Sequence, residues 1–300
     1  FLWKIQWIVA KIIKFRIAIF TIFIISSYLL SAIYQDLIGF ILVLSVGLIH
    51  GANDLLIIKK NSKNTSNFSQ FRTFFTYISV VFIGLIFFYL FPSFALITFI
   101  LVSIYHFGEQ QWTHRFQSKT NSPQFFYFVY GAFLFSMLFW SHAEQTQFII
   151  NELSDLHIAP ISFQYMAYTS VCLCLLYLFH QFSVAKTLIV DVLLQSTLLM
   201  LLFWTTNLIV SFGTYFIIWH SWPSLQDQTR TLYNKPNAYF EYLKDAFPYW
   251  IISILGLSLF FVYNEQIGLN PFALFFAFLA AITFPHVLVI FGLHQKFKLS

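Results

Sequence analysis

Ten apolar runs, each long enough to cross the roughly 30 Å hydrocarbon core of a bilayer as a helix, follow one another with only short polar breaks between them. They lie near residues 17–34, 37–57, 73–91, 93–112, 124–141, 163–181, 187–204, 206–224, 247–263 and 271–293. A chain that is 59% hydrophobic and 9% charged cannot place so much apolar surface inside one water-soluble core. The alternating pattern of a membrane β-barrel appears nowhere. The expected architecture is therefore all-α, a polytopic integral membrane helical bundle of about ten transmembrane helices. No linker, repeat or soluble domain interrupts it, so residues 1–300 read as a single transmembrane helical domain.

The basic residues orient this bundle. Lys4, Lys11, Lys14 and Arg16 precede the first run, and the remaining twelve of the 16 Lys and Arg follow in alternate connections, from Lys59 and Lys60 to Lys296 and Lys298. The other connections hold Asp36, Glu144, Glu152, Asp155 and Glu265. The positive-inside rule then puts both termini in the cytoplasm, as expected of a multi-pass protein of the cell (inner) membrane. The basic start, with Trp3 and Trp7, suits the headgroup level, and the run after it is expected to be a retained first helix rather than a cleaved signal. Nothing points to nucleic acid. Cys172 and Cys174 share one apolar run and form no metal-binding motif, so two buried, inert thiols are expected.

Ionisable groups inside a span are costly and mark function. His50 precedes Lys59 by nine residues, His106 precedes Arg115 by nine, His220 precedes Arg230 by ten and His286 precedes Lys296 by ten. All four runs travel in the same direction. At about 1.5 Å per residue the four imidazoles share one depth, roughly 14 Å from the cationic boundary. His114, His142, His157, His180 and His294 fall in connections or near run ends. A lone buried histidine usually bonds a neighbouring helix, but four at one level favour a metal site between facing helices. Neutral imidazoles suit Fe, Zn, Cu or Ni, and a bis-histidine haem is a further candidate. Asp54, four residues after His50, and Glu109, three after His106, can orient an imidazole or pair with a cation. Gly51 and Gly108 would let a backbone or a substrate come close.

Four blocks carry a resemblance: "GLIHGANDL" at 47–55, "SIYHFGEQ" at 103–110, "GTYFIIWHS" at 213–221 and "FPHVLVIF" at 284–291. In order and spacing they resemble the Brp/Blh family of bacterial integral-membrane β-carotene 15,15′-dioxygenases. The resemblance implies cleavage of the central double bond of β-carotene by O₂ into two retinal, at non-haem Fe(2+) held by His50, His106 and His220. The family pattern has a further histidine four residues after the third, where this chain has Ser224. Either His286 supplies the fourth ligand, or three histidines leave more open positions, or the reaction has changed. Tyr105, Tyr215, Trp219 and Trp222 flank these blocks and are expected to contact the polyene. The implied partners are an apolar carotenoid from the bilayer, O₂ and, functionally, a retinal-binding rhodopsin.

Other readings compete. A related metallo-oxidoreductase would act on a different carotenoid or lipid. A metal-ion or proton transporter would use the same histidines, but its path needs ionisable groups through the whole membrane depth, and the outer half of these runs has few. A retinal-holding protein would need a lysine in mid-span, and no run carries one there.

Overall fold

A computed structural model describes residues 17–61 apart from 19, then 67–115, 123–180, 186–233, 235, 238–268 and 270–299. The expected headgroup placement of Trp3, Trp7 and the first four basic residues lies outside them. All regular structure among the described residues is helical. The chain runs α1 (Phe20–Leu29), α2 (Ala32–Leu42), α3 (Asp54–Asn61), α4 (Asn67–Leu90), α5 (Pro92–Trp112), α6 (Pro123–Ser141) and α7 (Ala143–Ser154). It continues through α8 (Pro160–His180), α9 (Lys186–Thr205), α10 (Leu208–Tyr215), α11 (Trp222–Tyr233), α12 (Tyr239–Ile267) and α13 (Pro271–Leu299).

Seven of these helices are long and apolar enough to cross a membrane, namely α4, α5, α6, α8, α9, α12 and α13. The first two apolar runs are divided differently from the sequence reading, because the chain breaks at Leu30–Ser31 and resumes at Ala32. The second and eighth runs are not continuous α-helices either. A π-helical turn, Val43–Gly47, joins α2 to residues near His50, and another, Phe216–Ser221, joins α10 to α11. The connection after α6 holds an unexpected helix, α7, whose apolar face (Ile149, Ile150) is buried against the bundle.

Backbones meet closely in the core. A Cβ at Gly108 would collide with the Tyr127 carbonyl, and one at Gly131 with the Ile104 carbonyl. These glycines let α5 and α6 approach as small residues do in membrane bundles, where dispersion between tightly packed helices replaces the hydrophobic effect. Gly39 does the same for α2 against Ile209 of α10.

The two polar ends of the bundle remain separate. At one end Lys60 Nζ donates to the Leu232 carbonyl at 2.7 Å, Arg115 pairs with Asp191, and Tyr233 donates to Asp245 at 2.6 Å. At the other, Asn207 Nδ2 donates to Asp36 at 2.6 Å and the Asn270 N–H donates to Glu152 at 3.2 Å. Lys60 and Arg115, from two of the basic connections, thus lie at one end, where Lys60 and His114, the residue before Arg115, both bond to α11. Cys174 is buried, whereas Cys172 is exposed on the outer face of α8 and departs from the expectation of two buried thiols.

Candidate metal centre

His50, His106, His220 and His286 are all buried, between 1% and 6% exposed. Their rings stand edge to face in a closed circuit. Centroids are 5.1 Å apart for His50 and His220, 4.8 Å for His220 and His106, 5.6 Å for His106 and His286, and 4.8 Å for His286 and His50. Metal–nitrogen bonds of about 2.1 Å put each ring centroid roughly 3.2 Å from a shared ion, so ligands about 90–110° apart would have centroids about 4.6–5.3 Å apart. Three of the four edges have that size, and the fourth, between His106 and His286, is a few tenths of an ångström longer. His50, His220 and His286 each offer a donor nitrogen within 4.8 Å of the others.

Local irregularity aims two of the rings. A π turn holds an extra residue, shifting the faces of the helix on either side of it. One such turn ends three residues before His50, and His220 sits inside the other. Residues 50–53 are a turn rather than α-helix, with Ser45 at non-helical φ −86°, ψ −107°. On α13, Pro285 contributes no N–H to the helical ladder one residue before His286.

The non-helical turn explains a correction. Four-residue spacing places two side chains on one face only of a continuous helix, and here the helix is broken between His50 and Asp54. The Asp54 carboxylate does not meet His50. It receives His286 Nδ1 at 3.0 and 3.1 Å and also accepts from the Tyr77 hydroxyl at 2.9 Å. His50 Nδ1 is instead hydrogen-bonded to the Gly47 carbonyl. Both contacts fix the tautomer, because a carboxylate and a carbonyl only accept. They leave His50 Nε2 and His286 Nε2 buried with no hydrogen-bond partner, which is costly unless something electrophilic takes their lone pairs. A metal cation fits that need.

The remaining predicted residues fall at several distances from the circuit. Glu109 is buried, 3.4 Å from the Tyr105 hydroxyl. Ser224 accepts from Gln228 Nε2 at 3.1 Å, and the Gln228 Oε1 lies 2.8 Å from the Tyr242 hydroxyl. That hydroxyl is also 2.8 Å from the His50 carbonyl, while Asn53 Nδ2 donates to the Tyr242 carbonyl at 3.0 Å. Ser224 therefore touches the circuit only through a chain of hydrogen bonds to the backbone at His50. Gly51 makes room for the His286 ring, 3.3 Å from where its Cβ would be, whereas Gly108 serves the packing of α5 on α6.

Two cavities reach this region. One of ≈ 410 Å³ is lined by His50, Asp54, Tyr77 and His286 at its polar end and by aliphatic and phenyl groups elsewhere. A second of ≈ 90 Å³ is lined by phenylalanines such as Phe107, Phe135 and Phe212. Phe216, Leu279 and Thr283 border both. None of Tyr105, Tyr215, Trp219 and Trp222 lines either. Trp219 is fully buried, donating to Gln195 at 2.9 Å, Tyr215 donates to Gln111 at 3.3 Å, and Trp222 stacks on Tyr239. Trp219 and Tyr215 thereby bond to α9 and α5, and Trp222 packs α11 on α12 through its ring. Phe107 and Phe216 stack on the His220 ring, at 4.2 and 5.2 Å. Sequence reasoning missed these two, along with Tyr77 and Tyr242, because a Phe or Tyr among 41 Phe and 16 Tyr carries no signal until its neighbours are known.

A family model described as Beta-carotene 15,15'-dioxygenase matches residues 41–294, a stretch that holds all four histidines and both cavities. Comparison with curated proteins and with solved structures gives no match.

Proposed function

The chain belongs to the β-carotene 15,15′-dioxygenase family, and from that premise we propose that it cleaves the central double bond of β-carotene with O₂ into two retinal. The observation that carries the reading is the closed circuit of four buried imidazoles bordering an apolar cavity. His50, His106, His220 and His286 would hold Fe(2+), which when bound supplies O₂ activation that no side chain can provide.

The protein's own residues do the rest. Asp54, braced by Tyr77, keeps the His286 proton on Nδ1, and the Gly47 carbonyl does the same for His50. Phe107 and Phe216 clamp the His220 ring. The apolar walls keep water away from the imidazoles and hold the polyene by dispersion and ring contacts. Both oxygen atoms of O₂ end in the two aldehydes, so the reaction needs neither an outside reductant nor a proton. This agrees with a site whose donors are imidazoles and whose carboxylate is engaged in orienting one of them.

Ten crossings with both termini in the cytoplasm of the inner membrane belong to this reading. The placing of Lys60 and Arg115, from two of the basic connections, at one end supports it. Retinal made in that membrane would supply a rhodopsin there.

Expression in a bacterial host that accumulates β-carotene tests the proposal, with retinal measured by chromatography and iron measured in the purified protein. Wild type is expected to give retinal, and His50→Ala, His106→Ala, His220→Ala and His286→Ala to lose both retinal and iron. Well-expressed wild type that gave no cleavage product would overturn the proposal. Full iron and activity in His286→Ala would remove that residue from the ligand set.

A further inference from the structure

We infer that the larger cavity opens sideways to the bilayer between α4 and α12, and that this slot, with Gly256 at its lip, is the portal by which a neutral polyene reaches the imidazoles. The inference rests on the dioxygenase reading and adds to it the route and the residues that control it.

The cavity is graded from lipid to metal site. Its outer walls include Phe82 of α4 and Ile252 of α12, 60% and 63% exposed. Its floor is made by His50, Asp54, Ala281 and His286, all buried. The two walls are the most peripheral of the seven long helices, with 6% of the apolar stretch of α4 and 11% of that of α12 buried. Both helices rest on α13, the element that carries His286. A molecule dissolved in the hydrocarbon therefore passes between two lipid-facing helices and arrives directly at two of the four rings.

Gly256 lies on this path. It lines the cavity, and a Cβ built on it would meet nothing within 4 Å. Glycine within a helix is less stable than alanine there and is usually explained by close packing. Gly108 and Gly131 have that explanation, because backbone of another helix lies against them. Gly256 does not, and the room it leaves belongs to the cavity.

The lining selects the occupant. Polar groups sit at the floor, where Asp54 is engaged by His286 and Tyr77. The walls up to the rim are mainly aliphatic and phenyl, with Ser253 turned to its own helix by a bond to the Tyr249 carbonyl at 3.0 Å. A lipid with a charged headgroup would leave that charge at the rim or bury it unpaired, which costs several kcal/mol. An uncharged, extended polyene meets no such penalty.

The test compares wild type, Gly256→Phe and Gly292→Phe in phosphatidylcholine vesicles containing β-carotene. Gly292 also has nothing within 4 Å but borders neither cavity, so its variant controls for bulk added to a lipid-facing surface. Three quantities are read: carotenoid retained by the purified protein from its visible absorbance, iron per chain, and retinal formed. Gly256→Phe is expected to keep its iron and to lose at least tenfold in both retained carotenoid and cleavage rate. Gly292→Phe should stay within about twofold of wild type. Ile252→Trp, which narrows the same lip, carries the test if Gly256→Phe does not accumulate. Retention and cleavage by the plugged variant at the wild-type level, or an equal loss in Gly292→Phe, would overturn the portal, as would wild type that retains no β-carotene. Wild type that retains β-carotene and forms no retinal would instead overturn the dioxygenase reading, and the binding comparison would still judge the portal.

Discussion

The Asp54 carboxylate receives His286 Nδ1 at 3.0 Å across a sequence separation of 232 residues. This contact joins the first histidine block to the last. Asp54 begins α3 and His286 lies near the middle of α13, so the bond links two helices as well as orienting a ring. Replacing Asp54 with Ala should lower the affinity for iron about 10- to 100-fold, the usual effect of losing a residue that orients a metal-binding histidine. Tyr77→Phe, which leaves the carboxylate in place, should cost less. Iron retained against a graded chelator measures both, and equal retention by Asp54→Ala and wild type would contradict the assigned role.

Tyr242 ties the turn at His50 to α11 and α12. Its hydroxyl lies 2.8 Å from both the His50 carbonyl and Gln228 Oε1, and the residue is fully buried. Tyr242→Phe keeps the ring and removes the hydroxyl, so roughly 1 kcal/mol of stability should be lost, with a fall in iron occupancy as the turn loosens. Ser224→Ala, at the far end of the same chain, should have a smaller effect on iron. Thermal unfolding in detergent together with metal analysis checks the order of the two.

Gly108 tolerates no side chain. Because a Cβ there would strike the Tyr127 backbone, Gly108→Ala must push α5 and α6 apart, costing about 1–3 kcal/mol or more. Gly292→Ala, with open space around it inside a helix, should be neutral to stabilising. The yield of folded protein after solubilisation distinguishes them.

At the basic end, His114 Nε2 is 2.8 Å from Asp227. The hydrogen bond to Asp227 raises the His114 pKa above its ordinary value of 6.5, against burial and Arg230, which lower it. A raised folded-state value means that the pair's stabilisation is fully present below pH ~6.5 and is lost as pH rises through the raised value. His114 is half exposed, so the contribution should stay under about 1 kcal/mol. Unfolding of wild type and His114→Gln across pH 5.5 to 8.5 should show the variant losing this part of the pH slope, and identical slopes would remove the pair from the account.

What could be read from the chain and what could not divide along a physical line. Apolar runs, the alternation of basic connections and the shared depth of His50, His106, His220 and His286 are properties of position along an axis. A bilayer imposes that axis on every segment, so counting residues from Lys59, Arg115, Arg230 and Lys296 located four side chains that the structure brings together. Rotation about each helix is not imposed in the same way. The π turns at Val43–Gly47 and Phe216–Ser221 break the 3.6-residue period, and no composition signal marks them. For that reason the partner of Asp54 turned out to be His286 rather than His50, and the rings expected to face substrate, from Tyr105 to Trp222, bind helices together while Phe216 and its neighbours border the cavities. The sequence by itself determined the membrane as solvent, the helical class and the level of the site, because each follows from one-dimensional burial. Tertiary structure alone decided which nitrogen faces the centre, what holds each ring, and where the cavity opens, because these depend on how helices far apart in the chain turn their faces to one another.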